Sequence, residues 1–238
     1  MTEPVQICRG FTSHQWKSLQ SRLDAGDESA WTCAIEVFER RIRERYLSCL
    51  EVLMRADSGL DVSVPSPPPA DCSTLPEDHG KQVVVPGFAI LALCCLLAET
   101  LQGFREKPAK PIASSGSCTF QDDGKCIKPS TTDQFREFLR RPAFRGAFDD
   151  DSVARSFVNG VRNGIFHEAE TRGWLVWRDE PPGQILVLED GRYALNRSEF
   201  YDALNADFEG YIAELRDPRN SDLRSRFKKK MTDIVKES

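Results

Sequence analysis

The chain has 238 residues, of which 40% are hydrophobic and 29% charged, and its formal net charge is −5. This composition is ordinary for a single globular domain over residues 1–238, whereas a protein that coats nucleic acid non-specifically would be basic. Residues 1–4 lack the cationic and apolar segments of a signal peptide, and the most apolar stretch, residues 88–98, is too short to span a bilayer. We therefore expect a cytoplasmic protein without membrane contact, in which the eight cysteines stay reduced.

The N-terminal quarter of the chain is predicted to be an arm followed by two helices. Residues 1–11 form the arm and residues 12–24 a short helix, and residues 28–54 form the most regular helix because their apolar side chains recur at helical spacing. Arginines alternate with glutamates along this second helix, at Arg40, Arg41, Arg43 and Arg45. Such a face is typical of a solvated helix with i,i+4 ion pairs, and RNA binding through these arginines is the alternative.

Two long loops are predicted on either side of a central helix. Residues 57–86 are rich in proline, and residues 107–130 combine proline, serine, glycine and lysine, so neither stretch favours a helix across its length. Residues 87–105 are apolar nearly all round, which is typical of a helix in the centre of a bundle or in a subunit interface. Glu99 is the one charge in the interior of that helix, and we suggest an arginine such as Arg162 as its partner.

A short helix over residues 133–141 precedes a longer amphipathic helix that begins near Asp151. Apolar side chains recur every four residues along the longer helix, at Val153, Phe157, Val161 and Ile165. Acidic residues stand directly before it, where an N-cap and an acidic first turn stabilise a helix. The pattern predicts a helix that buries one face and ends in a cluster of polar side chains.

The C-terminal third is predicted to change character and then return to helix. Residues 174–196 contain three short β-type runs separated by turn sequences, which predicts a small antiparallel β-meander appended to a mainly α helical bundle. Trp174 and Trp177 are expected to cover the edge of the bundle, with base stacking as the alternative. A last core helix follows over residues 198–215. Residues 217–238 are predicted to be a polar, basic tail that is a solvated or frayed terminal helix, with attraction of phosphate by its basic run as the alternative.

The residues most suited to chemistry lie near the end of the amphipathic helix. Arg162 offers a permanent planar charge that suits phosphate, His167 can exchange a proton near neutral pH, and Asn163 adds a hydrogen-bonding group. Together they suit RNA cleavage without a metal ion, with a base at the 2′-hydroxyl and a cation at the phosphate. Five residues of α-helix rotate a side chain by about 140°, so both can reach one phosphate only if the helix loosens at Gly164 or a second subunit completes the site.

The arrangement Arg162-Asn163-x-x-x-His167, near the end of a helix in a mostly helical chain, resembles the motif of the HEPN superfamily. The resemblance implies a HEPN-like bundle that dimerises to form one shared cleft, and a metal-independent endoribonuclease that needs no cofactor. It also implies RNA as substrate, catalytic roles for these three residues, and a setting in toxin–antitoxin or antiviral systems, with a nucleotidyltransferase or an antitoxin as partner. A similar spacing from Arg9 to His14 is set aside, because a glycine follows the arginine and no helix leads into it.

Two other functions remain open from the sequence. In a non-catalytic dimerisation or interaction module, Arg162 would be ion-paired and His167 would be buried against the core. In a purely structural role, Arg162 would pair with a surface acid such as Glu168 or Glu170, and His167 would cap or line a helix end. In a nucleotide-sensing domain, Arg162 alone would bind phosphate. These alternatives differ from the nuclease in what surrounds the arginine and in whether the imidazole reaches solvent.

A zinc site is not expected. Potential ligands fall in predicted loop stretches, at Cys72, His79, Cys118 and Cys126. They do not follow the closely spaced Cys-x-x-Cys or His-x-x-x-His pattern of structural zinc sites. Cys94 and Cys95 are instead expected to behave as small core residues in the central helix.

Overall fold

The computed structural model describes residues 4–59, 86–106, 119–120, 126–127 and 131–237. Over these residues the chain is mainly helical, with short strands in between. The α-helices are α1 (Ser13–Asp24), α2 (Glu28–Ile42), α3 (Ser48–Gly59), α4 (Gly87–Arg105), α5 (Thr131–Leu139), α6 (Asp151–Phe157), α7 (Asn163–Glu168), α8 (Arg197–Arg216) and α9 (Ser221–Glu237). The strands are β1 (Gln6–Cys8), β2 (Phe11–Thr12), β3 (Thr119–Phe120), β4 (Cys126–Ile127), β5 (Leu175–Trp177), β6 (Leu186–Glu189) and β7 (Arg192–Asn196). Single π-helical turns at Arg43–Leu47 and Val158–Arg162 join α2 to α3 and α6 to α7, and Pro142–Phe144 is a 3₁₀ turn.

The prediction of an N-terminal arm over residues 1–11 is wrong for the described part of that segment. β1 pairs antiparallel with β2. Ile7 and Cys8 are only 2% and 4% exposed, so the hairpin contributes to the core. Gly10 has φ +78°, a conformation that glycine adopts without strain, and this permits the tight turn. Arg41 ties the hairpin to α2 by donating to the Ile7 carbonyl at 2.8 Å.

The long helix predicted over residues 28–54 is confirmed, with one irregularity that the pattern did not indicate. Asp27 caps α2 by accepting hydrogen bonds from the amides of Ser29 and Ala30. The helix then passes through the π turn Arg43–Leu47 into α3 and ends at Gly59. A π turn accommodates one extra residue in the helical repeat and is often found at functional sites.

Helix α4 lies at the centre of the bundle, as its apolar sequence predicts. It contacts α3, α5, α8 and α9. Among the described residues, α4 is the one helix whose length and apolar composition would allow it to cross a bilayer. However, 56% of that stretch is buried inside the protein, as in the core helix of a soluble protein, so its composition is weak evidence for a membrane span. Phe88 and Leu96 remain 43% and 41% exposed on one side of it.

The core is dominated by aromatic rings that the helices bring together. The Phe38 ring lies within 6.3 Å, centroid to centroid, of four others: Phe104, Phe208, Tyr211 and Phe227. A second group surrounds Phe157, the last residue of α6, within the motif segment (residues 151–168): Phe135, Phe148, Trp174 and Phe200. Burying each such ring stabilises the fold by roughly 1.5–3 kcal/mol, so the amphipathic helix is firmly anchored before it reaches its polar end.

The predicted β-meander is wrong in topology although the strands exist. The sheet has the order β5-β7-β6, and β5 runs parallel to β7 whereas β6 runs antiparallel to it. The turn at Asp190 and Gly191, both with positive φ, fixes the β6–β7 hairpin as predicted. The longer segment over residues 178–185 connects β5 to β6 without pairing them, so that β5 and β6 lie on opposite edges of β7. The result is a mixed sheet.

The prediction of a solvated or frayed C-terminal helix is wrong in its packing, because the helix is regular and belongs to the core. From Ser221 to Glu237 the chain forms α9, which packs against α1, α4 and α8. Its buried side chains recur every four residues, at Leu223, Phe227, Met231 and Val235. The basic residues between them occupy the outer face, and they conceal a helical stripe that is present in the sequence. Residues 198–215 form α8 as predicted, with Asn196 as the cap.

The loop predictions are only partly covered by the described residues. Within residues 107–130, β3 and β4 form a two-residue antiparallel ladder. Residues 60–85, and the rest of the second predicted loop, lie outside the described part of the chain. The short helix predicted over residues 133–141 corresponds to α5.

Candidate functional site

Arg162 is the last residue of the π turn Val158–Arg162, and three neighbours hold its side chain. Its Nε donates to Glu99 Oε1 on α4 at 2.6 Å, and its Nη1 donates to Asn163 Oδ1 at 2.8 Å. The guanidinium carbon lies 5.0 Å from the centroid of the Phe166 ring. A carboxylate, an amide and an aromatic face therefore fix this cation before any ligand arrives.

Part of the Arg162 guanidinium remains available to donate hydrogen bonds to a ligand. A guanidinium has five N–H donors. Those not used by Glu99 and Asn163 have no acceptor within the described part of the chain. The Arg162 side chain as a whole keeps 19% of its surface exposed. An incoming phosphate can accept hydrogen bonds from this side while the pair with Glu99 stays intact.

The pairing of Arg162 with Glu99 confirms the partner suggested from the sequence. The alternative, a pair with Glu168 or Glu170, is wrong, because the π turn and the packing of α7 against α4 direct the arginine inward. The two side chains are only 19% and 23% exposed, so the pair is partly buried. It neutralises much of the arginine charge and lowers its long-range attraction for phosphate. The buried Cys95 thiol lies one turn before Glu99, and burial raises its pKa, as expected for a core cysteine.

His167 stands in the last turn of α7 and is exposed to solvent. The burial that the interaction-module hypothesis required of this imidazole is therefore not observed. Arg172 binds the neighbouring Glu168 carboxylate, through Nε at 2.6 Å and through Nη2. These hydrogen bonds hold the pKa of Glu168 below its usual range, with a smaller contribution from the His167 charge. Within the described residues the imidazole makes no hydrogen bond, so it is free to meet a substrate.

Two glycines of the motif segment allow the chain to fold back on itself after His167. A Cβ on Gly164 would lie 2.3 Å from the Glu170 carbonyl oxygen. A Cβ on Gly160 would lie 2.8 Å from the Trp174 ring. The role that we predicted for Gly164, loosening the helix between Arg162 and His167, is wrong, since residues 163–168 are α-helical. The glycine instead gives space for a close backbone approach.

The relative direction of the two motif side chains follows from this helical geometry. The helix is irregular before Arg162, over Val158–Arg162, and regular between Arg162 and His167. The rotation of about 140° expected for five α-helical residues therefore applies. One chain presents a partly buried cation and an exposed imidazole on different sides of the same helix. The arrangement suits a site that a second protein copy or a flexible substrate would complete.

The tryptophan and the potential metal ligands singled out in the sequence can also be compared with the structure. Trp174 is 6% exposed, stacks 5.0 Å from Tyr193, and donates to the Ser156 hydroxyl, so it covers the bundle edge as expected. The described part of the chain contains no group of three or more His, Cys, Asp or Glu side chains arranged to hold a metal ion. Three of the potential zinc ligands, Cys72, His79 and Cys118, lie outside the described residues.

Some functional features could not be found in the sequence. Neither π turn has a sequence signature, although both contact α4 near Glu99. The contact between Arg162 and Phe166 has the i,i+4 spacing of side chains that meet on a helix, and that spacing could have indicated it. Comparisons with family models, with curated proteins and with solved structures found no match for the chain. The family resemblance therefore depends on the motif and its helical setting.

Proposed function

We propose that the protein is a metal-independent endoribonuclease of HEPN type, built on a HEPN-like helical bundle. The observation that carries the proposal is the Arg162 guanidinium, which Glu99 and Asn163 fix while its other donors stay available. An exposed His167 follows on the same helix. A preoriented cation and a proton-exchanging ring are the two groups that this reaction requires of the protein.

The residues would divide the chemistry as follows. The ribose 2′-hydroxyl attacks the adjacent phosphorus and the bond to O5′ breaks, which leaves a 2′,3′-cyclic phosphate and a 5′-hydroxyl. His167 takes the proton of the 2′-hydroxyl or returns a proton to O5′. The open donors of Arg162 stabilise the charge that develops on the non-bridging oxygens. Asn163 acts as a positioning residue, because its amide oxygen accepts a hydrogen bond from Arg162.

A homodimer is the assembly that this proposal favours. The two motif side chains of one chain diverge, so the imidazole and the cation at one phosphate would come from different copies. Phe88 and Leu96 expose apolar surface on α4, the helix that also carries Glu99 and contacts α7. A second copy would cover that surface while bringing its own motif nearby. An antitoxin or a nucleotidyltransferase is a further partner that the resemblance favours, in the cytoplasm.

The experiment is cleavage of a labelled single-stranded RNA by purified protein in EDTA. We expect cleavage to persist under chelation, to yield cyclic phosphate ends, and to fall by at least about 100-fold in His167→Ala and in Arg162→Ala. His14→Ala is the matched control, because His14 is also an exposed histidine on a helix. Full activity in His167→Ala, or loss of wild-type activity in EDTA, would contradict the mechanism.

A non-catalytic interaction module is the second candidate, and the Arg162–Glu99 pair favours it. A partly buried ion pair between α4 and the motif segment can serve structure alone. This candidate predicts that the wild type forms a stable dimer and does not cleave RNA. It also predicts that Arg162→Ala weakens the dimer, because the substitution destabilises the fold. Sedimentation of the same variants used for the cleavage assay separates the two candidates.

A further inference from the structure

A second group of cations lies beside Glu99, outside the motif. Arg41, Arg45 and Lys230 line a cavity of about 280 Å³ that also includes Glu99 and Thr100. Arg41 and Arg45 also line a neighbouring cavity of about 170 Å³, so they stand between the two. The carboxylate of Glu99 is already engaged by Arg162. Within the described residues none of the three cations forms an ion pair with a carboxylate, although the charge of Lys230 reaches Glu106, where burial raises the pKa of the carboxyl and Lys230 opposes that rise.

The environment of Arg41 and Arg45 suits the binding of an anion. Both guanidinium groups donate to the same acceptor, the Ile7 carbonyl, at 2.8 Å and 3.4 Å. Neither forms an ion pair with a carboxylate in the part of the chain that the structure describes, whereas the nearby Arg43 pairs with glutamates. Burial, and then the charge of Arg45, lowers the pKa of Arg41. Two like charges one helical turn apart repel each other, and an anion between them would relieve that repulsion.

The π turns connect this cavity to the motif. Arg45 and Tyr46 belong to the turn Arg43–Leu47, and the Tyr46 hydroxyl lies 3.2 Å from Thr100 Oγ1. Arg162 ends the other π turn and binds Glu99, the residue before Thr100. Glu99, which binds Arg162, also lines the cavity together with Thr100. The cation cavity and the motif arginine therefore meet at two consecutive residues of α4.

We propose that Arg41, Arg45 and Lys230 form a subsite that binds the phosphodiester backbone of single-stranded RNA next to the phosphate held by Arg162. The proposal depends on the proposed function for the identity of the polymer. It assigns the two arginines a role that separates them from the ion-paired arginines of the same helix. Lys230 reaches the cavity from α9 beside Gly103, so the basic outer face of that helix contributes to binding.

The test is fluorescence anisotropy with a short labelled single-stranded RNA over a range of salt concentrations, in the His167→Ala background so that the probe is not consumed. We expect Arg41→Gln/Arg45→Gln to weaken binding by about tenfold or more, and to reduce the slope of log affinity against log salt by about 0.7 for each phosphate that the protein no longer neutralises. Lys230→Gln, at an exposed position, tests the same subsite with little risk to folding. Arg145→Gln/Arg192→Gln removes the same charge from two exposed positions outside the cavity and is expected to leave binding unchanged.

The outcomes separate this proposal from the nuclease. If the wild type does not cleave RNA but the cavity variants still lose binding, the subsite stands and the nuclease assignment fails. If the wild type cleaves RNA through His167 while Arg41→Gln/Arg45→Gln and Lys230→Gln change neither affinity nor salt slope, the subsite proposal is overturned. An equal loss in the Arg145→Gln/Arg192→Gln control would also overturn it, because the effect would then reflect net charge alone.

Discussion

Substituting alanine at Gly164 and at Gly210 tests the packing of the motif segment, because the same change should have opposite effects at the two positions. Both residues are helical. A Cβ at Gly164 would lie 2.3 Å from the Glu170 carbonyl oxygen, whereas a Cβ at Gly210 would meet nothing within 4 Å. A backbone carbonyl cannot rotate away as a flexible side chain can, so at Gly164 the returning segment itself must shift.

The expected magnitudes follow from these two environments. Alanine in an exposed helix interior is more favourable than glycine by about 0.5–1 kcal/mol, which is the gain expected for Gly210→Ala. The same gain applies at Gly164, but forcing extra volume into a packed site costs roughly 1–3 kcal/mol, and contact with backbone puts this case in the upper part of that range. We therefore expect Gly164→Ala to lower the free energy of unfolding by about 1–2 kcal/mol.

The assay is urea unfolding followed by far-ultraviolet circular dichroism. The free energies of unfolding are compared between variants that have the same slope of free energy against urea concentration. The wild type, Gly164→Ala and Gly210→Ala should rank with Gly210→Ala the most stable and Gly164→Ala the least. A stabilised Gly164→Ala variant would refute the reasoning, since it would mean that the segment containing Glu170 does not approach the helix this closely. A destabilised Gly210→Ala variant would show instead that the surface of α8 is covered in solution.

Three further predictions concern charged side chains. A double-mutant cycle on Glu99→Ala and Arg162→Ala, measured by urea unfolding, should give a coupling energy of about 1–2 kcal/mol, which lies between the values typical of exposed and of buried ion pairs. A value near zero would argue against the ion pair. Asp207→Asn should lower the free energy of unfolding by about 3–5 kcal/mol, because this carboxylate, whose side chain is 3% exposed, pairs with two arginines; a loss under about 1 kcal/mol would contradict that burial. A hydrogen bond from Arg136, and a weaker effect of one from Arg155, lower the pKa of Asp151 from 3.8 to about 2, so the stability that this carboxylate contributes is present above pH 3.8 and is lost as the pH falls towards 2. Asp151→Asn should therefore flatten the dependence of the urea midpoint on pH in that window, and an unchanged dependence would exclude the contribution.

Much of the candidate site could be predicted from the sequence because it is local. The amphipathic spacing, the acidic N-cap and the order of Arg162, Asn163 and His167 are properties of one segment, and α6 and α7 occupy it. The N-cap is Asp150, one of the acids before the predicted helix, and its side chain accepts from Ser152. The partner of Arg162 was suggested correctly because a single charge within an apolar helix needs compensation wherever the fold places it.

The remaining features could not be predicted because they depend on which distant segments meet. The close approach of the backbone to Gly164, the parallel pairing of β5 with β7, and the packing of α9 all result from contacts between separate segments. Basic residues conceal the buried stripe of α9, and nothing in a short strand sequence states which side of a hairpin it will join. The cavity formed by Arg41, Arg45 and Lys230 combines α2, a π turn and α9, so no local pattern contains it.

By itself the sequence determined that this protein is mainly helical, that α4 is buried, and that one segment carries a cation and an imidazole at fixed spacing, because periodicity and residue type act over a few turns of helix. Only the tertiary structure decided that Glu99 restrains Arg162, that His167 faces solvent, and that further cations gather beside them. The physical reason is that charge compensation and exposure are set by neighbours in space, and those neighbours can come from distant segments, as with Glu99 and Arg162 at a separation of 63 residues.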